Sequence, residues 1–388
     1  MSDRPPLLLY CQHSLGLGHL KRSWALAEAL SGSFKVFLAS GGAVPRDLQP
    51  PAAITTIELP AVAENDEGRL CPVEGDAPIE RIMDARRQRL LDAFTTLQPR
   101  AIVVELFPFG RRKFRGELMP LLDAARRQPG VLVASSVRDL LVDRGSEQQR
   151  HDDRATAILN DYFDAILVHT DPRFATLADT FHPSVPLRVP VLHTGFVVPA
   201  AQADGAPRGD RILVSGGGGR FAEPLFLTAV AAHARLGEEA PPMVIIAGPL
   251  CSADVLGRLR AAAGPGGRIG IVPTVSDLSR EMRASAISVS QCGYNTALDI
   301  VRAGVPALVV PFDGNGDSEQ GDRAQRLARL GAVQVLRASA LAPAALANAI
   351  RQTLGFVPAP LNLDLDGAAH STRALAAMLR HAGQRVLA

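Results

Sequence analysis

The residues best suited to chemistry stand in two glycine-bearing turns and one longer segment of the second half. The longer segment, SVSQCGYNTALDIVRAGVPALVVPFDGNGDSEQGDRAQRLARLGA, begins as a strand (Ala286–Ser290) and breaks at Gln291–Cys292–Gly293. A helix then starts at Tyr294–Asn295–Thr296. Free N–H groups and the positive dipole end of such a helix suit a diphosphate, with the Thr296 hydroxyl and the Gln291 amide as further donors. Asp299 follows one helical turn on, where a carboxylate can accept from vicinal hydroxyls such as those of a ribose. The loop DGNGDSEQ carries Glu319 and Gln320 to the next helix.

The second turn is LVSGGGGRFAEPL. Gly216, Gly217, Gly218 and Gly219 in succession cost conformational entropy unless the backbone must approach a ligand or take positive φ, so the loop reads as phosphate- or sugar-proximal. The third is QHSLGLGHLKRS, after the first strand. Gly16 and Gly18 permit close backbone approach to phosphate, and equally a packing role alone. His19 at the helix mouth is a candidate general base, its ordinary pKa being near neutral, with His13 as the alternative. A helix-end histidine satisfied by backbone is the plainer reading. The segment ELFPFGRRKFR sets Phe107, Phe109 and Phe114 among cations. Phe109, Arg111 and the later Arg138 are weak candidates for acceptor contact; for the first two a solvated loop or a membrane-surface contact is also open, and for Arg138 an internal ion pair.

These turns need scaffolds that deliver strand ends. Candidate strands lie at Leu7–Tyr10, Lys35–Leu38, Ile54–Leu59, Ala101–Glu105, Val131–Ser135 and Ala165–His169. A second set lies at Arg211–Ser215, Met243–Ala247, Arg268–Val272, Ala286–Ser290, Ala307–Val310 and Val333–Leu336. Helix-period segments such as Leu20–Leu30, Ile79–Leu97 and Phe221–Leu236 intervene. That alternation predicts an α/β protein of two Rossmann-like, doubly wound parallel-sheet domains facing a cleft. The expected divisions are residues 1–197 (acceptor side), a hinge at 198–209 and residues 210–388 (donor side), with the last helix free to pack back on the first domain.

The 388 residues carry a net charge of +2, which points neither to nor away from nucleic acid. No apolar run reaches the ~20 residues of a membrane helix, and the start does not read as a secretory signal. The 4 cysteines are dispersed without a CxxC pair, so neither a disulfide scaffold nor a zinc site is expected. Asp364 and Asp366 form the single DxD spacing weighed as a metal motif, and a solvated loop is the reading there. A cytoplasmic protein without a metal or bound cofactor is the expectation.

The segment from Gln291 to Gln320 resembles the donor signature of nucleotide-sugar glycosyltransferases of the GT-B type, written HCGWNSxLE…AGVP…P…DQ…NA in plant-type UDP-glycosyltransferases. It also resembles the bacterial peptidoglycan GlcNAc transferase (MurG-like) family. The resemblance implies transfer of a sugar from a nucleoside-diphosphate sugar, UDP-linked, to an acceptor of lipid-linked or polysaccharide type. It implies that Val275 and Asp299 meet the nucleoside, that Glu319 and Gln320 hold sugar hydroxyls, and that His19 is the base. It also allows peripheral contact with the inner membrane surface. Gln291, Asp299 and Arg323 depart from the plant-type His, Glu and Asn. The GxGHxxR turn also looks like that of a related nucleotide-sugar hydrolase, so a hydrolase or epimerase stays open, as does a non-catalytic sugar-nucleotide binder.

Overall fold

A computed structural model describes residues 4–13, 17–44, 48–65, 67–199, 207–314 and 319–386, with the side chains of 382–386 excepted. The chain divides into two compact units, residues 1–200 with 363–388, and residues 201–362. Residues 200–206, most of the expected hinge, lie outside the described residues, as does Gly16.

The strands of the first unit are β1 (Pro6–Cys11), β2 (Lys35–Ser40), β3 (Thr55–Glu58), β4 (Val62–Glu64), β5 (Leu70–Pro72), β6 (Ala101–Glu105), β7 (Leu132–Val137), β8 (Ala165–Val168) and β9 (Val191–His193). Its helices are α1 (Gly18–Leu30), α2 (Ile79–Leu97), α3 (Arg115–Arg127) and α4 (Gln148–Tyr162). Seven strands form a sheet in the order β3-β2-β1-β6-β7-β8-β9, parallel at every pairing. β4 and β5 form a small antiparallel ribbon that the period-2 pattern, only three residues long in each strand, did not signal. β1 is apolar along most of its length because both sheet faces are covered. One face packs through Tyr10, Ile102, Val133, Phe107 and Phe114, the other through Leu9, Leu20, Leu26, Val103 and Leu375.

The second unit holds β10 (Ile212–Ser215), β11 (Met243–Ile246), β12 (Ile269–Val272), β13 (Ile287–Ser290), β14 (Ala307–Val309) and β15 (Gln334–Val335). They are ordered β12-β11-β10-β13-β14-β15, again all parallel. Helices α5 (Glu223–Leu236), α6 (Ala253–Ala263), α7 (Leu278–Arg283), α8 (Tyr294–Ala303), α9 (Glu319–Arg329) and α10 (Pro343–Leu354) belong to it. Phe226, Ile245, Val289 and Leu346 pack one face of this sheet.

α11 (Gly367–Val386) belongs to the first unit and packs on α1. Asp364 anchors the segment before it. Its N–H donates to Asp171 Oδ2 at 2.8 Å, its carbonyl accepts from Phe196 N–H at 2.7 Å, and its carboxylate meets His370 at 3.1 Å. The expected solvated loop is therefore corrected at Asp364, a half-buried carboxylate with partners that ties the returning chain down, while Asp366 is exposed. Among the described residues no helix is long and apolar enough to cross a membrane.

Candidate functional site

In each sheet the winding reverses once, between β1 and β6 in the first unit and between β10 and β13 in the second. Loops leaving such strands diverge and open a crevice at their carboxyl ends. The glycine turns follow β1 and β10, and the Gln291–Gly293 break follows β13, so the candidate residues stand at the reversals.

In the second unit Gly217 (φ +58°) and Gly219 (φ +90°) take left-handed conformations that other residues resist. A Cβ on Gly219 would stand 2.1 Å from the Ala247 carbonyl, so the loop is pressed against the β11 turn. Gly216 and Gly218 carbonyls accept from Gly219 and Leu250, while the N–H groups of Gly217 and Gly218 have no partner among the described residues. Gly217 also lies beside Thr296, its Cβ position being 3.4 Å from Oγ1. α8 starts at Gly293 with no side-chain cap and no acid in its first turn. Helices α6 and α7 of the same unit are capped by Ser252 and Asp277. Among the described residues nothing stands within 4 Å of a Cβ built on Gly293, so the chain is not crowded at that cap position. Two sets of backbone donors thus flank one sheet reversal, an arrangement fit for an anion.

The other second-unit candidates have mixed placements. Tyr294 and Thr296 are buried, and Asn295 is half-buried in the first turn. Asp299, one turn on, faces Arg302 at 4.0 Å. Val275 is half-buried in the loop after β12. The Gln291 amide donates to the Phe221 carbonyl at 3.1 Å. The expectation that Glu319 presents its carboxylate to a ligand is corrected: it is 3% exposed and paired with Arg323, whose guanidinium also donates to the Cys292 carbonyl at 2.9 Å. The long Arg323 side chain, where the plant-type pattern has Asn, draws Glu319 inward. Gln320 accepts through Oε1 from Cys292 N–H at 3.0 Å and Phe312 N–H at 3.1 Å, which leaves its Nε2 as the group able to donate outward.

In the first unit, Gly18 is the first residue of α1, which also lacks a side-chain cap. His19 donates Nδ1–H to Glu105 Oε1, 2.6 Å away, and Glu105, at the end of β6, is 1% exposed against 21% for His19. Arg22 pairs with the same oxygen, and Arg111 with Oε2 at 2.9 Å. Burial alone would raise the Glu105 carboxyl, but His19, Arg111 and Arg22 hold it well below its ordinary value. Desolvation, reinforced by Arg111 and Arg22 and opposed by Glu105, lowers His19 to about 3. The near-neutral histidine expected from the sequence is thus corrected. The imidazole is neutral, with Nδ1–H on the carboxylate and the Nε2 lone pair without a partner among the described residues.

Leu106 (φ +61°) and Arg111 (φ +57°) are left-handed non-glycine residues on either side of this carboxylate's loop, a backbone cost found where geometry is over-determined. Residue spacing did not single out Glu105 or its pairing with Arg22, and Arg111, a candidate for acceptor contact, turns to this carboxylate at 12% exposure. His13, 3% exposed and lowered to about 4 by burial, has an unpartnered Nε2. The acceptor role of Phe109 is corrected: it is 2% exposed and packs edge-on against Phe181 at 4.9 Å, and Phe107 and Phe114 are equally buried. Arg138 stands half-buried just past β7.

Comparison with known proteins adds a domain match and a set of relatives. Residues 217–361 match the glycosyltransferase family 28 C-terminal domain. The chain resembles the GT-B glycosyltransferases. The UDP-N-acetylglucosamine–N-acetylmuramyl-(pentapeptide) pyrophosphoryl-undecaprenol N-acetylglucosamine transferase of Mesorhizobium japonicum is 29% identical over 238 residues, 60% of this chain and 59% of that protein. The Brucella canis enzyme of the same name is 28% identical over 170 residues, 44% of each chain. The chain thus spans about half the length of the curated relatives it matches. Among solved structures, MurG of Acinetobacter baumannii superposes with a TM-score of 0.57 at 17% identity, covering 97% of this chain and 100% of that one. A UDP-glucosyltransferase from Polygonum tinctorium gives 0.58 at 17% identity, covering 100% and 96%. Both show the GT-B fold, two parallel-sheet α/β domains, for this chain.

Proposed function

We propose that the protein transfers a glycosyl group from a nucleoside-diphosphate sugar to an acceptor hydroxyl without a metal. The observation that carries this reading is the pair of backbone turns, the positive-φ Gly217 with Gly218 and the uncapped start of α8, on either side of the β10–β13 reversal, within the segment that matches a glycosyltransferase domain. There the diphosphate takes the backbone N–H groups and the Thr296 hydroxyl, Asp299 and Val275 meet the nucleoside, and Gln320 donates to the sugar. The relatives are named for a UDP-linked donor and an undecaprenol-linked acceptor. Carried over, those names give a UDP-hexose donor and a lipid-linked or polysaccharide acceptor, met in the cytoplasm at the inner membrane surface.

In the reaction the acceptor O–H proton passes to His19 Nε2, the acceptor oxygen bonds the anomeric carbon, and the sugar–phosphate bond breaks. The diphosphate leaves with the electron pair, its charge stabilised by preorganised N–H dipoles. Glu105 fixes the imidazole tautomer and stabilises the imidazolium that forms.

Binding is the first test. UDP at about 100 times its dissociation constant stabilises the fold by roughly 2.7 kcal/mol. Asp299→Ala weakens UDP by roughly 1–3 kcal/mol, the cost of a hydroxyl pair losing its acceptor. Calorimetry that finds no nucleoside diphosphate bound to the wild type overturns the reading; unchanged affinity in the variant removes the ribose role. The pH profile is the second test. The base works neutral and is lost as pH falls through its folded value, about 3 against an ordinary 6.5. Turnover is therefore flat between about pH 5 and 8. A half-loss near pH 6.5 would refute the neutral, carboxylate-held base.

A further inference from the structure

Phe221 is among the few large apolar side chains left in solvent, 41% exposed, and it does not stand alone. Its ring stacks on that of Phe312, centroids 5.2 Å apart and planes 21° from parallel. The Arg220 guanidinium lies 5.5 Å from the Phe221 ring centre. Phe221 follows the Gly216–Gly219 loop after β10, and Phe312 follows β14, so one side chain reaches across the end of the intervening strand, β13. Both backbones are tied to the candidate site: the Phe221 carbonyl accepts from Gln291, and the Phe312 N–H donates to Gln320.

We propose that Phe221 and Phe312 form a stacking plate for the hexopyranose of the donor, an inference that rests on the sugar-nucleotide reading above. The diphosphate cradle lies at the β10–β13 reversal, and strand order assigns its two flanks. Val275 follows β12, on the β11 side; Phe312 and Gln320 lie on the opposite, β14 side. A nucleoside laid toward Val275 puts the sugar on the flank that carries the aromatic pair. That flank offers the exposed Phe221 ring, stacked on the half-buried Phe312, together with the Gln320 amide and the Arg220 guanidinium. A pyranose of gluco configuration has the matching character, with axial C–H bonds making an apolar face and equatorial hydroxyls at its rim. Aromatic faces attract such polarised C–H edges as they attract ring edges, and burial of ring area adds to this. A phenylalanine as exposed as Phe221 is otherwise a solubility cost for the protein.

The test compares UDP with UDP-N-acetylglucosamine by calorimetry on the whole chain, wild type against Phe221→Ala, Phe221→Trp and Phe312→Leu. Phe221→Ala is expected to weaken UDP-N-acetylglucosamine about ten-fold and UDP less than about two-fold, with Trp restoring most of the loss. Phe312→Leu gives a smaller loss of the same selectivity. Melting curves confirm that each variant is folded. Equal weakening of both ligands means that the plate takes the base, and no weakening means that it takes nothing; either overturns the inference while leaving the site itself standing. A wild type that binds UDP but not UDP-N-acetylglucosamine also overturns it. A wild type that binds neither brings down the function and the plate together.

Discussion

His19→Ala leaves the protein folded, leaves UDP affinity within about two-fold, and slows transfer by roughly 10²- to 10⁴-fold, the usual worth of a positioned base. Folding survives because Glu105 keeps two guanidinium partners, Arg22 and Arg111, when the imidazole is gone. UDP affinity survives because His19 belongs to the first unit, whereas the diphosphate donors belong to the second. The measurement joins a melting curve, a UDP titration and the rate of sugar transfer or release. A histidine with a structural task alone would lower the melting temperature, and activity would fall only with the folded fraction. A stable, fully active variant removes the base assignment and moves it to His13, the buried imidazole just past the end of β1.

The largest stability effect is expected at Glu117, far from any transfer chemistry. Arg86 is fully buried and has all its donors engaged. Nε and Nη2 reach Glu117 at 2.7 Å, Nη2 also reaches Gln12 at 2.7 Å, and Nη1 reaches the carbonyls of Gly41 at 3.0 Å and Pro60 at 2.8 Å. Tyr10 donates its hydroxyl to the same carboxylate at 2.6 Å. Glu117→Ala strands a guanidinium that cannot lose its proton, and breaking a buried pair from one side costs about 3–5 kcal/mol. That is a large share of the roughly 5–15 kcal/mol that keeps a domain folded. Urea unfolding followed on the first unit reads it directly. Glu117→Gln, which retains an acceptor for Tyr10 or Arg86, falls between the two. A loss under about 0.5 kcal/mol in the Ala variant would show that water or a repacked neighbour takes over the charge.

The parts of the site legible in the sequence are those made by adjacent residues. Gly216 to Gly219 and Gln291 to Asp299 are each one strand-to-helix turn, so their residue types and their geometry share a single stretch of chain. Glu105 was in plain view at the end of a strand yet had no visible role, because its partner His19 lies 86 residues earlier. Burial was the second blind spot. Phenylalanines interleaved with arginines read as a surface, but Phe107, Phe109 and Phe114 turn into the core while Arg111 folds back on Glu105. Phe221 reads as the start of a helix and instead stands in solvent just before α5. Glu319 matched a family position by residue type, and only the neighbouring Arg323 decides where its carboxylate goes. Sequence distance and side-chain direction, not element type, account for these misses.

The placement of α11 on α1 has a consequence for how the chain is made. Residues 363–388 belong to the first unit, whereas the second is made of the single stretch 201–362. A ribosome therefore releases everything the second unit needs before it releases the last piece of the first. Until then Leu20, Leu26 and Leu30 of α1 lack Leu375 to cover them. The half begun first is finished last, and during synthesis its uncovered helix face is where a chaperone would find its grip.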